Sequence, residues 1–414
     1  MMIEKKEKIL SSREERYQKI KKLKSDYNAV ITVKTNIPGD NKNLKIAYSL
    51  VKLFIKTIPN CYIDEILFFD SNDGPYYIIG SKFDAKIIKK SLITIEDSHE
   101  LGRFIDLDVF DGNKTLSRDI PRKCYLCNNI AFDCIRLKKH SVNEIIAYIE
   151  NKSITYFETK IFRIIDDSIL LELNLHPKFG LVTPNSKGSH KDMNYRIMFN
   201  AKEVLVPFFV KMFRVGWDEN IDVIFTKIKL IGLEAEKAMY KVTNNVNAYK
   251  GLIFNFGILL SAYGYIFRNH HDLENIFNVI MCISKDVLSD FDKPSNTYGY
   301  QAYKKYKVLG ARGEAKRGMP NVEKSLVYLD DFSKESRINT LMYLISVVED
   351  TVLLKRCVNF EEYLSVKNLF RDNLFCDENR IEELNKYCVK KNYSFGGSAD
   401  LLILAIFLKK IKIF

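Results

Sequence analysis

The feature that most constrains the fold is a change of hydrophobic period near residue 145. Before it, apolar residues come in short runs, several alternating in and out like half-buried strands; after it, long segments repeat at helical spacing. A chain with two such periods cannot be one sheet or one bundle. The expected architecture is multidomain: an N-terminal α+β domain over 1–142 followed by an all-α helical bundle domain over 143–414. The boundary is set at HSVNE, where Ser141 offers a helix start.

In the first part, residues 5–26 read as a polar helix and 46–58 as an amphipathic one. Strands are predicted over Ala29–Thr35, Glu65–Phe69, Tyr76–Ile79, Leu92–Glu96 and Phe104–Phe110. In the second part, helices are predicted over 145–175, 195–214, 222–240, 250–268, 272–289, 335–355, 360–370, 378–390 and 398–413. The uncharged stretch from Gly251 to Phe267 is just short of a membrane span and is broken by Asn255, Gly257, Ser261 and Gly264, so a buried helix is expected and no membrane partner.

Net charge is +12, which favours polyanionic partners such as nucleotides, coenzymes, nucleic acid or an acidic protein. The first 24 residues hold nine Lys/Arg against four Glu, as a solvated basic helix does and an export signal does not. Eight cysteines in a chain of 414 residues make no disulfide framework. They suit a reducing compartment, and a cytoplasmic protein is expected.

Two clusters carry chemistry in the first part. In GRFIDLDVF, Asp106 and Asp108 lie two apart on a strand, so they project from one face and can share Mg²⁺, with Arg103 placed to clamp a phosphate oxygen. The plain alternative is a solvated strand face. The second cluster, Cys124-x2-Cys127-x6-Cys134-x5-His140, has the composition of a Cys3His zinc site. Its alternative is three small, partly buried cysteines beside an exposed histidine. Arg118, Arg122, Lys123, Arg136, Lys138 and Lys139 form a basic surface around it.

These segments, with REER at 13–16, NIPGDNKN at 36–43, LSRD at 116–119 and PRKCYLC with its downstream cysteine and KKHS across 121–141, resemble holo-citrate lyase synthase, the apo-citrate lyase phosphoribosyl-dephospho-CoA transferase. The resemblance implies transfer of a phosphoribosyl-dephospho-CoA unit from its triphosphate precursor to a serine of the citrate lyase acyl carrier (gamma) subunit, with loss of pyrophosphate.

The second part sets short polar islands between apolar helices. They are Glu172 with HPKFGLV, then SHKDM, NAYKG, GARGEA, VEDT and GGSAD. Glu349 and Asp350 sit in what reads as one continuous apolar helix, where bare carboxylates cost several kcal/mol unless a cation or donors accompany them. A metal is one companion, and a salt bridge to Arg337 or Arg356 is the other. The Gly396–Gly397 pair permits close backbone approach to a ligand, with Ser398 as helix N-cap beside Asp400, or else it is an ordinary turn. Lys178, Lys191, Lys250 and Arg312 supply positive charge for phosphates, and His190 can bond a phosphate or act as an acid.

The islands resemble triphosphoribosyl-dephospho-CoA synthase: RGEA at 312–315, EDT at 349–351 and GGSAD at 396–400 are intact. Tyr249 and Tyr298 stand where that family has histidines. The resemblance implies that ATP and 3′-dephospho-CoA give 2′-(5″-triphosphoribosyl)-3′-dephospho-CoA and adenine. The polar site is then expected to comprise Glu172, Asp192, Glu314, Glu349, Asp350 and Asp400, with Mg²⁺ on Glu349 and Asp350. A fusion making and attaching one prosthetic group is the reading. Two rivals remain: the same chemistry serving the carrier of malonate decarboxylase, and a basic nucleotide- or RNA-binding protein, against which the uncharged helices speak.

Overall fold

The computed structural model describes residues 2–112, 114–127, 129–269, 272–292 and 294–413. It has two compact units, the first reaching Phe157 with a short stretch from Arg268, the second running from Glu158 through the rest of the chain. The first contains a small antiparallel sheet with helices, and the second is mostly helical.

The first unit opens with α1 (Met2–Leu23) and continues with β1 (Ala29–Thr35), α2 (Lys45–Ile55), β2 (Glu65–Phe69), β3 (Tyr76–Ser81), α3 (Ala85–Ser98), β4 (Ile105–Asp111), β5 (Lys114–Leu116) and α4 (Ala131–Arg136). Strand order is β2-β3-β1-β4-β5, every neighbour antiparallel. The alternating AVITVKT takes the centre, with Val30, Ile31 and Val33 fully buried. One stripe of α1, Ile20 and Leu23, packs with Val30, Tyr76 and Ile78. The REER residues Arg13 and Arg16 hold Asp73 at 3.1 and 2.8 Å.

The expected strand at Leu92–Glu96 is instead the end of α3. Asp84 caps that helix by accepting from Lys86 N and Ile87 N, both at 2.9 Å, and Ala85, Ile88, Lys89, Leu92 and Glu96 form its buried face. That spacing is helical, whereas a five-residue apolar window cannot separate the two periods. Two of these side chains close the sheet beyond the reach of β5. Lys89 Nζ donates to the Leu107 carbonyl at 3.0 Å, and Leu107 N–H donates to Glu96 at 2.8 Å.

The second unit takes up the end of α5 (Val142–Leu173). It continues with α6 (Tyr195–Asp218), α7 (Ile221–Val242), α8 (Lys250–Asn269), α9 (Ile276–Ile283), α10 (Tyr298–Tyr306), α11 (Gly310–Lys316), α12 (Pro320–Ser325), α13 (Lys334–Val347), α14 (Thr351–Arg356), α15 (Phe360–Arg371), α16 (Glu378–Lys390) and α17 (Gly396–Ile413). The helix α8 is long and apolar enough to cross a membrane by length and composition, but 78% of its apolar window is buried in the protein, as a core helix is. A Cβ on Gly216 would lie 1.9 Å from the Ser261 carbonyl oxygen, and one on Gly264 would lie 2.2 Å from that of Phe213. Glycine there lets α6 and α8 touch backbone to backbone.

Two predicted helices are broken. The span 272–289 keeps only α9 as α-helix, flanked by single 3₁₀ turns. The span 335–355 splits into α13 and α14 at Val348–Asp350, because Asp350 turns its side chain onto the backbone. The short helices α10 to α12 were not predicted, being too brief and polar to show a period.

Candidate active site

In the second unit, Glu172 closes α5 with 2% exposure, and the turn after it brings in Lys178, equally buried. Lys178 Nζ donates to Glu172 Oε1 at 2.7 Å and to the Glu172 carbonyl at 3.1 Å. Burial lowers the lysine pKa against the opposing pull of Glu172. Sequence reasoning assigned Lys178 to phosphate; the structure places it on a carboxylate that would otherwise be a bare buried charge.

Asp400 lies in the early turns of α17 and faces Gly251 at the start of α8. A Cβ on Gly251 would lie 2.3 Å from Asp400 Oδ2. No hydrogen-bond donor reaches the Asp400 carboxyl among the described residues. Burial, reinforced by the charges of Glu172 and Asp350, holds its pKa well above the usual carboxylate range. Tyr249 is 2% exposed, and its hydroxyl is buried without a partner. Burial, then the charges of Glu172 and Asp400, drives the phenol pKa upward. Glu172 and Asp400 therefore lie near enough for their charges to act on Tyr249, and Glu172 and Asp350 near enough to act on Asp400.

Asp350 is buried and fully engaged. One oxygen accepts from Val352 N at 2.9 Å and Leu353 N at 3.2 Å; the other accepts from Ser398 N at 2.9 Å and Ser398 Oγ at 3.0 Å. Burial raises its pKa despite these donors. It caps α14, and its second oxygen holds the first turn of α17. Ser398 is therefore a donor to Asp350 rather than the N-cap expected of it. Gly397 leaves room for this, since a Cβ there would sit 3.1–3.2 Å from the Asp350 carboxyl, and one on Gly396 would sit 3.3 Å from Val352. Glu349 accepts from Leu309 N at 2.7 Å and Gly310 N at 3.3 Å and meets Arg317 at 3.4 Å. The companions of both acids in this structure are protein donors.

The remaining predicted residues lie apart. Glu314 is buried but accepts from Asn321 N at 2.8 Å and Asn321 Nδ2 at 2.7 Å, and burial raises its pKa. Asp192 and Lys191 are exposed. Lys250 pairs with Glu236 at 2.8 Å, and Arg312 lies over the rings of Phe291 and Phe254. His190 accepts from Arg356 at Nδ1 (3.2 Å) and meets Ser394 Oγ at Nε2 (3.0 Å). Burial and then Arg356 lower its pKa to about 4, so it is neutral near pH 7 and no proton donor by charge. Tyr298 opens α10, and burial raises its pKa.

In the first unit Asp106 and Asp108 do share a face of β4, as their spacing requires. Opposite them in register stand Lys34 and Thr32. Lys34 Nζ lies 3.0 Å from Asp106 and 3.7 Å from Asp108, and Arg122 meets Asp106 at 2.7 Å. A lysine ammonium thus stands where a divalent cation was expected. Burial raises the Asp106 pKa, but Lys34 and Arg122 outweigh it and hold the carboxyl below its usual range. Arg122 also pairs with Glu96, which Arg118 approaches at 3.3 Å. Arg103 lies over the Tyr125 ring and donates to the Lys123 carbonyl, while its Nη1 is buried without a partner.

Cys124, Cys127, Cys134 and His140 come together, their ligand atoms all within 4.8 Å of one another. Sequence reasoning missed Lys34 and Glu96 as partners of the site residues, and had Gly251 only within the NAYKG island and Arg356 only as a salt-bridge partner for Glu349 and Asp350. Of the two missed, only Lys34 had a signal, a lone cation ending an otherwise apolar strand.

A family model described as apo-citrate lyase phosphoribosyl-dephospho-CoA transferase matches residues 4–156, and one described as ATP:dephospho-CoA triphosphoribosyl transferase matches residues 158–413. Protein CitXG of Leuconostoc mesenteroides subsp. cremoris is 32% identical, covering 97% of this chain and 96% of its own. Protein CitXG of Haemophilus influenzae is 30% identical over 97% and 95%. The 2-(5''-triphosphoribosyl)-3'-dephosphocoenzyme-A synthase of Haemophilus ducreyi is 31% identical, covering 68% of this chain and 98% of its own. The two matches run end to end along one polypeptide, and the chain belongs to the CitXG family of fused transferases.

Proposed function

We propose that the second half joins ATP to 3′-dephospho-CoA at the Glu172, Tyr249 and Asp400 centre, and that the first half moves phosphoribosyl-dephospho-CoA onto a serine of the citrate lyase acyl carrier subunit. As a member of its family the protein is a bifunctional transferase that makes and attaches the citrate lyase prosthetic group.

In the first reaction the 2′-hydroxyl of dephospho-CoA displaces adenine from C1 of the ATP ribose, through a transition state with oxocarbenium character. A bond from oxygen to C1 forms, the C1–N bond and the hydroxyl O–H bond break, and the proton the hydroxyl gives up balances the one adenine takes up. The raised pKa of Asp400 suits it to give that proton, and Glu172, oriented by Lys178, suits the cationic sugar. The Tyr249 hydroxyl is a donor waiting for a substrate atom. The observation that carries this reading is the mutual electrostatic influence of these three groups, with Glu172 and Tyr249 buried and Asp400 half-buried beside Gly251.

Mg²⁺ bound to the triphosphate would neutralise its charge. Glu172 Oε2, which no donor reaches among the described residues, fits it, while Asp400 keeps its proton for adenine. In the first half the buried, unpartnered Nη1 of Arg103 suits a pyrophosphate oxygen, and Asp108 is the less engaged of the two acids. The same reading assigns zinc to the Cys3His cluster and, with all eight cysteines free, a cytoplasmic site of action.

Purified protein given ATP, 3′-dephospho-CoA, Mg²⁺ and apo carrier is expected to release adenine and pyrophosphate and to increase the carrier's mass by the prosthetic group. Absence of adenine rejects the first step, and an unchanged carrier rejects the second. Parallel assays with the citrate lyase and malonate decarboxylase carriers identify the acceptor.

A further inference from the structure

The stretch 117–141 has almost no core of its own. Among its described residues Cys134 alone is buried, while Ile120, Phe132, Ile135 and Leu137 are 78%, 69%, 72% and 68% exposed. Hydrophobic burial therefore cannot explain why it holds one shape. Its backbone nevertheless folds back tightly. Lys123 bridges Ile130, Cys124 N–H donates to the Asn129 carbonyl at 2.8 Å, and Ala131 N–H donates to the Arg122 carbonyl at 2.9 Å. Lys139 N–H then returns to the Cys134 carbonyl at 3.0 Å. These turns bring four side chains to one point: Cys127 Sγ lies 3.5 Å from Cys134 Sγ and 3.4 Å from His140 Nε2. With zinc–sulfur bonds of about 2.3 Å, the sulfur–sulfur edge of a tetrahedron is about 3.8 Å, so the spacing suits one ion among four ligands.

The same stretch carries the cations of the transferase face. Arg118 and Arg122 reach Glu96, Arg122 reaches Asp106 at 2.7 Å and the Ile105 carbonyl at 3.1 Å, and Tyr125 Oη donates to the Asn36 carbonyl at 2.7 Å. We propose that a zinc ion in the Cys124, Cys127, Cys134 and His140 cluster serves as the core of residues 117–141 and thereby positions Arg118 and Arg122 on the Glu96 and Asp106 carboxylates. This rests on the zinc reading and adds to it a task. The four ligands are positioning residues: they touch the ion, and the ion fixes the strap that delivers two arginines. Removing it leaves those arginines on a chain segment with no apolar core to anchor it.

Metal analysis of the intact protein tests the zinc. One zinc per chain is expected, lost in Cys124→Ser and Cys134→Ser, retained in Cys134→His and in the control Cys61→Ser, an exposed cysteine outside the cluster. Cobalt in its place is expected to show the visible bands of a tetrahedral thiolate site. The task is tested by stripping zinc with a chelator while Mg²⁺ stays saturating. Trypsin cleavage within 117–141 is expected to accelerate, and transfer to carrier from supplied intermediate to fall by about ten- to a hundredfold, recovering on zinc addition. Adenine release is expected to stay unchanged, and Cys134→His to keep both metal and transfer. Absence of stoichiometric zinc overturns the zinc reading and the inference together. Stoichiometric zinc whose removal alters neither trypsin cleavage nor transfer leaves the zinc reading standing and overturns the positioning role.

Discussion

Asp106 and Asp400 are the same residue type in opposite electrostatic settings. Asp106 sits on a strand whose neighbour supplies Lys34 in register, with Arg122 on its other oxygen, and its pKa falls. Asp400 sits on an apolar helix against a glycine, with Glu172 and Asp350 as its charged neighbours, and its pKa climbs. The surroundings of one carboxyl favour its ionised form, and those of the other favour its protonated form. A sheet hands an acid a cation through cross-strand register, whereas a helix interior offers only what another helix happens to present.

The most severe test removes the proton carrier. Asp400→Asn keeps the shape and loses the acid, so adenine release is expected to fall by about 10²- to 10⁴-fold, while transfer from supplied intermediate stays normal. Equal loss of both steps would break the contrast. Gly251→Ala comes next: its methyl would meet Asp400 Oδ2 at 2.3 Å, and displacing that carboxyl is expected to destabilise the fold by about 1–3 kcal/mol and to slow adenine release. Unfolding in urea and a single-turnover assay would read the two effects.

Lys34→Met tests the other side. Because the folded pKa of Asp106 is depressed, its ionised form contributes stability above the unfolded carboxyl value, and that contribution is lost as pH falls through the folded value. Without Lys34 the loss is expected to begin at higher pH, visible as an acid unfolding limb shifted upward. His190 gives a smaller slope of the same sign. Its folded value of about 4 lies below the usual 6.5, so stability is expected to decline as pH drops between these values, and His190→Gln to flatten that decline. Smallest is Tyr249→Phe, which removes an unpartnered buried hydroxyl. Stability is expected to change by no more than about 1 kcal/mol, and a fall in adenine release would identify that hydroxyl as a substrate contact.

Much of this was legible in the chain. The central strand, the shared face of Asp106 and Asp108 and the Cys3His grouping follow from periods and spacings that act over a few residues. The companions of those groups did not. Asp350 is satisfied by Ser398, 48 positions away, and no local pattern distinguishes a carboxylate that will meet an N–H from one that will meet a metal. Asp192 and Glu314 illustrate the same limit: both stand in polar islands like those of Glu172 and Asp400, yet one faces solvent and the other caps its own neighbourhood through Asn321. The misread segment at Leu92–Glu96 fails for a different reason: five residues are too few to separate a helical period from an alternating one, and the buried face shows only over the whole of Ala85–Glu96.

The double engagement of Asp350 also bears on the order in which the protein is made. Its second oxygen waits for Ser398, and Asp400 lies two residues further on, so a ribosome must deliver α17 before either acid acquires its final surroundings. The sheet and its flanking helices have left the exit tunnel long before. Nascent chains arrested ahead of Gly396 are accordingly expected to hold a finished transferase half beside an unfinished synthase half.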